Sequence, residues 1–221
     1  MWKSSLAACS VMVLVLCYAC RPRPSAASVP IEQAPPQLQE GDLLFQDLNC
    51  GPLCDAIEAV TEGADGKDFS HVGIAAKFNG RLMIVEAIGT EVRAVHQDAF
   101  FLRSGEVVVG RPLRSFRSVA TQAAHEAILL IGTPYDDAFL PGNDKLYCSE
   151  LVALSYERAN HNEPFFDTPS MTFKDARTGA YFPAWVEYFA ELGIPIPEGR
   201  PGCNPGGLSR EAAIQIVWRS E

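Results

Sequence analysis

A cysteine and a histidine, far apart in the chain, each begin an apolar segment of a different kind. Cys148 begins an apolar run with helical spacing, and His71 begins an apolar run of strand type. A thiol is a weak nucleophile at neutral pH unless its anion is stabilised, and both a helix N-terminus and an imidazolium provide that stabilisation. The histidine can then return the proton to a leaving group. The two segments therefore predict a hydrolase in which Cys148 is the nucleophile and His71 the base.

A third candidate comes from the hairpin that the Asn-Gly dipeptide at 79–80 predicts. With a two-residue turn there, Gly73 faces Glu86, and His71 lies two residues further along the same face, within reach as a diagonal neighbour. A carboxylate in that place can accept the second imidazole N–H and stabilise the imidazolium, as the third member of a triad does. Taken singly, His71 and Glu86 are unremarkable strand residues. Together with Cys148 they favour a triad.

The other histidines have weaker contexts. His96 follows a predicted strand and is a distant second candidate for the base. His125 lies inside an amphipathic helix and His161 beyond a helix end, so both are expected at the surface.

Apolar periodicity and turn residues predict one domain of class α+β with an antiparallel sheet, since strands and helices do not alternate as they would around a parallel sheet. The predicted strands are 43–45, 72–78, 82–87, 91–95, 107–109 and 214–218, and the predicted helices are 55–61, 119–131, 148–159 and 184–192.

The first 39 residues have a different composition. Residues 1–20 combine a short charged start with an apolar run too short to span a bilayer, which is typical of a signal peptide. The run ends at Cys20 in a pattern like a bacterial lipobox, and a proline-rich tether occupies 21–39. The alternative is ordinary cleavage after the small residues 25–27. Either way we expect export. The lipobox-like pattern predicts a lipid anchor at Cys20 and a location in the cell envelope, and the catalytic domain is expected over 40–221.

Charge and cysteine usage restrict the function further. The net charge is −9 and the 18 basic residues are scattered, so nucleic-acid binding is not expected. Outside the signal segment, Cys50, Cys54 and Cys203 remain beside Cys148. A disulfide between one of the first two and Cys203, or three free buried thiols, are equally compatible with the sequence.

Several of these segments resemble one enzyme superfamily. Residues 131–136 (Ile-Gly-Thr-Pro-Tyr-Asp) and 147–152 (Tyr-Cys-Ser-Glu-Leu-Val) are similar to the nucleophile segment of NlpC-type papain-like hydrolases, and 69–74 and 85–87 resemble its histidine and third-residue strands. Here the histidine precedes the cysteine, a circular permutation that marks the YiiX-like (YaeF/YiiX, YebB-like) permuted papain-fold enzymes, relatives of lecithin:retinol acyltransferase. The segment 41–46 is similar to that group as well.

This resemblance covers roughly 40–205 and implies a permuted papain-like fold. It implies Cys148, His71 and Glu86 as the catalytic residues and Tyr135 beside the substrate. It also implies an oxyanion site formed by the Cys148 backbone N–H and a second donor, assigned here to Gln46.

Two residues depart from the pattern of the ordinary family. Tyr147 stands where an aspartate precedes the nucleophile, and Glu150 where a glycine follows Cys-Ser. The peptidoglycan-peptide specificity of that family is therefore not carried over.

The leading hypothesis is an exported cysteine amidase or peptidase. It would cleave an amide in a small peptide, a cell-wall fragment or an N-acyl compound through a thioester on Cys148. One alternative is a non-catalytic lipid- or peptide-binding lipoprotein, and another is an acyltransferase on the same fold. A zinc site made of Cys148, His71 and Glu86 is disfavoured, because no close-spaced ligand pair supports it. We expect no cofactor and no metal.

Overall fold

The computed structural model describes residues 37–104 and 106–220. The predicted signal peptide, Cys20 and most of the predicted tether lie outside these residues. Leu38, near the end of that tether, is buried, and the Gln37 carbonyl accepts a hydrogen bond of 3.1 Å from Arg111. The packed domain therefore includes the last residues of the segment predicted as tether. Within the described part of the chain, no helix is long and apolar enough to cross a membrane.

Six strands form one antiparallel sheet, in the order β4-β3-β2-β1-β5-β6. They are β1 (Leu43–Asp47), β2 (His71–Phe78), β3 (Arg81–Ile88), β4 (Glu91–His96), β5 (Glu106–Pro112) and β6 (Ile214–Arg219). The central strands are rich in valine, isoleucine and leucine and are buried on both faces. Each strand predicted from the sequence is present, extended by one to four residues.

The turn between β2 and β3 sets the register of the sheet beside His71. Asn79 and Gly80 both have positive φ, 49° and 77°, as a two-residue hairpin turn requires. Phe78 faces Arg81, and the pairing continues outward to Ile74 opposite Val85. This is the register predicted from the Asn-Gly dipeptide, so Glu86 and His71 share one face of the sheet.

The helices cover both faces of the sheet. They are α1 (Pro52–Ala59), α2 (Gln97–Phe101), α3 (Arg117–Leu129), α4 (Cys148–Ala159), α5 (Pro183–Leu192) and α6 (Pro205–Ser209). Helices α3 and α4 pack on each other and on β2, and the main core lies between them and the sheet. Tyr156 is fully buried in α4, where its hydroxyl donates to the Gly41 carbonyl at 2.6 Å.

The opposite face of the sheet is covered by α2, which was not predicted. Its Phe100 is buried among Leu44, Ala75 and Ile84. A third apolar cluster joins α1 and α5 through Ala56, Phe173, Trp185 and Phe189, beside the main core.

The disulfide in the described structure is not among the pairings predicted from the sequence. Cys50 and Cys54 form a disulfide across the start of α1, with their Cα atoms 5.4 Å apart. Cys50 lies two residues before α1 and Cys54 in its first turn, and their Cα separation is within the range that a disulfide spans. Cys203 is free and buried. Neither the predicted bridge to Cys203 nor three free thiols is therefore observed.

Candidate active site

Cys148 is the first residue of α4. The preceding Tyr147 is extended, with φ −89° and ψ 171°, so the helix begins at the cysteine. Glu150, three residues beyond Tyr147, accepts a hydrogen bond from the Tyr147 backbone N–H, which is half of a capping box. Leu151 and Val152 anchor the helix in the core. The Cys148 side chain thus lies at a helix N-terminus, where unsatisfied N–H groups and the helix dipole favour an anion.

His71 and Glu86 are in direct contact. His71 is the first residue of β2, and its Nε2 lies 2.9 Å from Oε2 of Glu86 on the neighbouring strand. His71 is 3% exposed and Glu86 is fully buried. Because Nε2 is occupied by the carboxylate, Nδ1 is the ring nitrogen left for the Cys148 thiol. The structure therefore brings the three predicted catalytic residues together.

The electrostatics of the trio agree with a proton-transfer role. Burial alone would lower the pKa of His71, but hydrogen bonding to Cys148 and Glu86, together with their negative charges, raises that pKa above its usual value. Burial would raise the pKa of Glu86, but its hydrogen bonds to His71 and Arg103 outweigh this effect and lower the pKa to about 2. Glu86 is thus ionised at neutral pH, and the imidazolium of His71 is favoured.

Two arginines accompany this carboxylate. Arg93 Nε donates to Glu86 Oε1 at 3.2 Å, and Arg103 Nη2 donates to Oε2 at 2.5 Å. Neither arginine was predicted from the sequence. Arg93 could have been found, because a two-residue turn at 89–90 places it directly opposite Glu86 in the β3–β4 pairing. Arg103 follows α2 and gave no signal in the sequence.

A cavity of about 240 Å³ adjoins Cys148. Most of its wall is apolar, and α1, α5 and the segments around 170 and 204 contribute to it. Among the described residues, no charged side chain and no histidine lines it. The apolar part includes Ile57, Val60, Phe139, Met171, Phe173 and Trp185.

Tyr135 and Gln46, the two predicted substrate-side residues, differ in placement. Tyr135 lines the cavity with Cys148, and burial together with the negative charge of the Cys148 thiolate raises its pKa well above the usual value. Gln46 is fully buried and does not line the cavity, and its Nε2 donates to the Phe100 carbonyl at 2.6 Å. One amide hydrogen is therefore committed to a backbone acceptor, and a fully buried side chain that does not line the cavity gives no support to Gln46 as the oxyanion donor.

Tyr147 and Cys203 form part of the cavity floor. The Cys203 backbone N–H donates to the Tyr147 hydroxyl at 3.2 Å, and the Ser149 hydroxyl donates to the Cys203 carbonyl at 3.0 Å. Burial raises the pKa of the Cys203 thiol to about 12. Cys203 thus stays protonated, and Tyr147 provides an apolar ring where the ordinary family has a carboxylate.

The remaining histidines are remote from the trio. His96 is exposed, and its Nδ1 accepts from the Asp98 N–H at the start of α2, so it is not the base. His125 and His161 are exposed, as predicted.

Comparison with known proteins identifies the family of this chain. A family model for permuted papain-like amidase enzymes (YaeF/YiiX, C92 family) matches residues 37–217. The chain belongs to this family. The predicted YiiX-like relationship and the permuted papain-like α+β fold are confirmed.

Two relatives show how similar the sequence and the fold of this chain are to known proteins. The uncharacterized protein YiiX of Escherichia coli K12 is 32% identical over 126 residues, which are 56% of this chain and 59% of that protein. The crystal structure of YiiX from Escherichia coli O157:H7 superposes with a TM-score of 0.68 at 24% identity, covering 84% of this chain and 98% of the other. This second likeness shows the fold alone.

The crystallised YiiX is described as a metalloprotein. In the described part of this chain, no group of three or more His, Cys, Asp or Glu side chains is arranged to hold a metal ion. The Glu86 carboxylate, moreover, is already in contact with His71 and two guanidinium groups, which would repel a cation. These residues do not fit a metal ion.

Proposed function

We propose that this protein is a cysteine amidase in which Cys148, His71 and Glu86 act as a triad on an amide with an apolar acyl group. The observation that carries the proposal is the buried His71–Glu86 pair beside a helix-terminal thiol that adjoins an uncharged, apolar cavity. A structural histidine has no need of a buried ionised carboxylate on one side and a thiol on the other.

The reaction follows from these contacts. His71 holds the thiol proton as an imidazolium, and the Cys148 sulfur attacks the amide carbonyl carbon. The C–N bond then breaks as the imidazolium gives its proton to the departing amine, leaving a thioester. Water, losing a proton to His71, attacks the thioester, and the acid and the thiol are released. The proposed oxyanion donor is the Cys148 backbone N–H, and its position in the first turn of α4, among N–H groups without an intrahelical partner, supports that assignment.

The cavity supports the choice of substrate. Peptide and cell-wall fragments carry carboxylates and ammonium groups, which need charged partners when they leave water. A wall that is mostly aromatic and aliphatic, with uncharged polar side chains among them, instead favours an acyl chain or an apolar side chain. Each methylene moved from water into such a wall is worth about 0.8 kcal/mol, or about fourfold in affinity.

We also propose that the enzyme is exported and held at a membrane through Cys20. The support is the sequence pattern of 1–39, a signal-like apolar run that ends at a cysteine and is followed by a proline-rich spacer. Mass spectrometry of the N-terminus of the mature protein tests this. A diacylated Cys20 is expected, whereas an unmodified form beginning near Ser28 would contradict the anchor.

The amidase is tested with a series of N-acyl amino acids of increasing chain length, together with muropeptides, followed by mass spectrometry of products. We expect kcat/KM to rise about fourfold per methylene until the cavity is full, and an acyl-enzyme adduct on Cys148. Met171→Lys, which puts a charge into the cavity wall, should abolish the gain with chain length. Val186→Lys on the exposed side of α5 is the matched control and should not.

The alternatives predict different results. Saturable binding of acyl compounds without turnover, unchanged in Cys148→Ala, would indicate a binding lipoprotein. An adduct that forms with wild type but is released only by an added amine or alcohol would indicate an acyltransferase. Cleavage of muropeptides in preference to every acyl amide would overturn the proposed substrate.

A further inference from the structure

The Glu86 carboxylate is unusual for a buried triad residue in carrying two guanidinium partners. Arg103 Nη2 and His71 Nε2 both reach the same oxygen, Oε2, at 2.5 and 2.9 Å. Arg93 reaches the other oxygen at 3.2 Å, but its side chain is 47% exposed against 26% for Arg103. Arg103 is therefore the partner that is more removed from solvent and that shares an oxygen with the imidazole.

Arg103 has little else to hold it. Its Nε and Nη1 atoms are buried and, in the described structure, have no hydrogen-bond acceptor. Its guanidinium lies over the ring of Phe100, 4.9 Å from the centroid. Glu86 and the Phe100 ring are therefore the contacts that position Arg103 in the described structure. The two buried donors without an acceptor cost free energy and add no contact that would hold the side chain.

Phe100 links the same groups from α2. Its ring centroid is 5.9 Å from that of His71, and its carbonyl accepts from the Gln46 amide at 2.6 Å. The buried Gln46, directly opposite His71 in the β1–β2 pairing, thus fixes the backbone of the helix whose phenylalanine contacts both His71 and Arg103. This explains a fully buried glutamine that has no place at the cavity.

We propose that Arg103 is a positioning residue, which keeps the Glu86 carboxylate ionised and turned toward His71 and so preserves the thiolate–imidazolium pair under acidic conditions. This inference rests on the triad of the proposed function. Arg103 does not touch the cavity, so it acts only through Glu86.

The charged groups that face Glu86 determine how its pKa changes when Arg103 is removed. They are His71 from β2, Arg93 from β4, Arg103 from the segment after α2, and the Cys148 thiolate through His71. Burial is the strongest influence on the pKa of Glu86 and acts to raise it, and the hydrogen bonds to His71 and Arg103 reverse that effect. Without Arg103 the carboxyl becomes protonated at a higher pH. Below that pH the imidazolium of His71 loses its counter-ion, and the group that partners the Cys148 sulfur is no longer held in its charged form.

The test is the pH dependence of Cys148 alkylation by iodoacetamide, which needs no substrate. We expect Arg103→Met to move the acidic limb of this profile upward by about one pH unit, the size of shift that one adjacent opposite charge produces. Arg103→Lys, which keeps the charge but loses the planar fork, should shift it by less. Arg111→Met is the matched control, since Arg111 is 25% exposed and pairs with the fully buried Asp42 at the other end of β1. It should lower stability and leave the limb unchanged.

A second arm shows whether Arg103 acts through Glu86. Adding Arg103→Met to a Glu86→Gln variant should produce no further shift. An unchanged limb in folded Arg103→Met, or an equal shift in Arg111→Met, would overturn the inference. If Arg103→Met does not fold, Arg103→Lys decides: a shift in the same direction supports the inference and no shift refutes it. Absence of amidase turnover alongside a shifted limb would reject the proposed function and leave the role of Arg103 standing.

Discussion

Replacing Glu86 by glutamine tests the triad most directly, because it removes a charge and keeps the size. The carboxylate offers two acceptor oxygens, one to Arg93 and one shared by His71 and Arg103. An amide has only one acceptor oxygen, and its NH₂ group repels any donor that it faces. We expect the amide oxygen to remain on the buried side, facing His71 and Arg103, and the half-exposed Arg93 to turn toward water.

The expected cost in rate follows from the His71 contact. A hydrogen bond to a charged group contributes about 1.5–3 kcal/mol net. If the imidazolium of the transition state loses that amount, kcat/KM falls by roughly 10- to 100-fold. The loss should be smaller than for Cys148→Ala or His71→Ala, which remove the groups that make and break bonds.

The expected cost in stability follows from the pKa of Glu86. It is about 2 in the folded protein against 4.5 for the free group. That difference corresponds to about 3 kcal/mol at most. Because the folded pKa is the lower one, the stabilisation is complete above pH 4.5 and is lost as the pH falls toward 2. The variant should therefore be less stable than wild type at pH 7, and the two should converge near pH 2.

The assays are kcat/KM on an acyl amide at neutral pH and urea unfolding at a series of pH values. Glu126→Gln, at a partly exposed carboxylate on α3 that accepts a hydrogen bond from Gln122 at 2.9 Å, is the control and should change neither quantity appreciably. A rate near wild type in Glu86→Gln, with His71→Ala inactive, would remove Glu86 from the mechanism. Cys148 and His71 would then act as a dyad.

Three further predictions concern the surroundings of the trio. Iodoacetamide at roughly pH 6–7 should label Cys148 and spare Cys203, whose pKa is about 12; peptide mapping that finds Cys203 modified first would contradict the assignment. Replacing Cys50 and Cys54 by serine should lower the free energy of unfolding by about 2 kcal/mol, because the unfolded chain gains loop entropy. It should also raise KM for acyl amides, because α1 lines the cavity. Unchanged steady-state kinetics would show that the disulfide does not support that wall. Burial raises the pKa of Glu150 to about 8, so folding favours its protonated form. Wild type should therefore lose stability relative to Glu150→Gln as the pH rises from 4.5 through 8. Parallel plots of unfolding free energy against pH for the two proteins would refute this.

The sequence was sufficient to predict the parts of the site that depend on local signals. The Asn-Gly turn set the register that places Glu86 beside His71, and the onset of apolar periodicity marked the start of α4 at Cys148. Both are short-range effects, in which a turn residue or a cap decides the geometry of its immediate neighbours. The same reasoning at the turn 89–90 would have found Arg93.

The parts that were missed depend on tertiary packing. Helix α2 has five residues, too few for a periodic pattern, and it exists because Phe100 fills the open face of the sheet. Arg103 meets Glu86 only after that helix has turned the chain back across β3. Gln46 was assigned to the oxyanion because it lies next to a family-like motif, but its side chain points to the α2 face and bonds to Phe100. No spacing in the sequence encodes these contacts.

The charge balance around Glu86 explains why the missed residues matter for chemistry. Two arginines and one carboxylate leave the surroundings of His71 with a formal charge of +1. Transfer of the thiol proton from Cys148 to His71 moves charge without changing this sum, so its free energy depends on where the fixed charges lie. Glu86 touches the imidazole and stabilises the imidazolium directly, whereas the arginines donate their hydrogen bonds to the carboxylate. Their effect on the proton is therefore indirect: they keep an anion buried next to His71, which burial alone would protonate. A buried glutamate can serve as the third residue of the triad because these arginines accompany it.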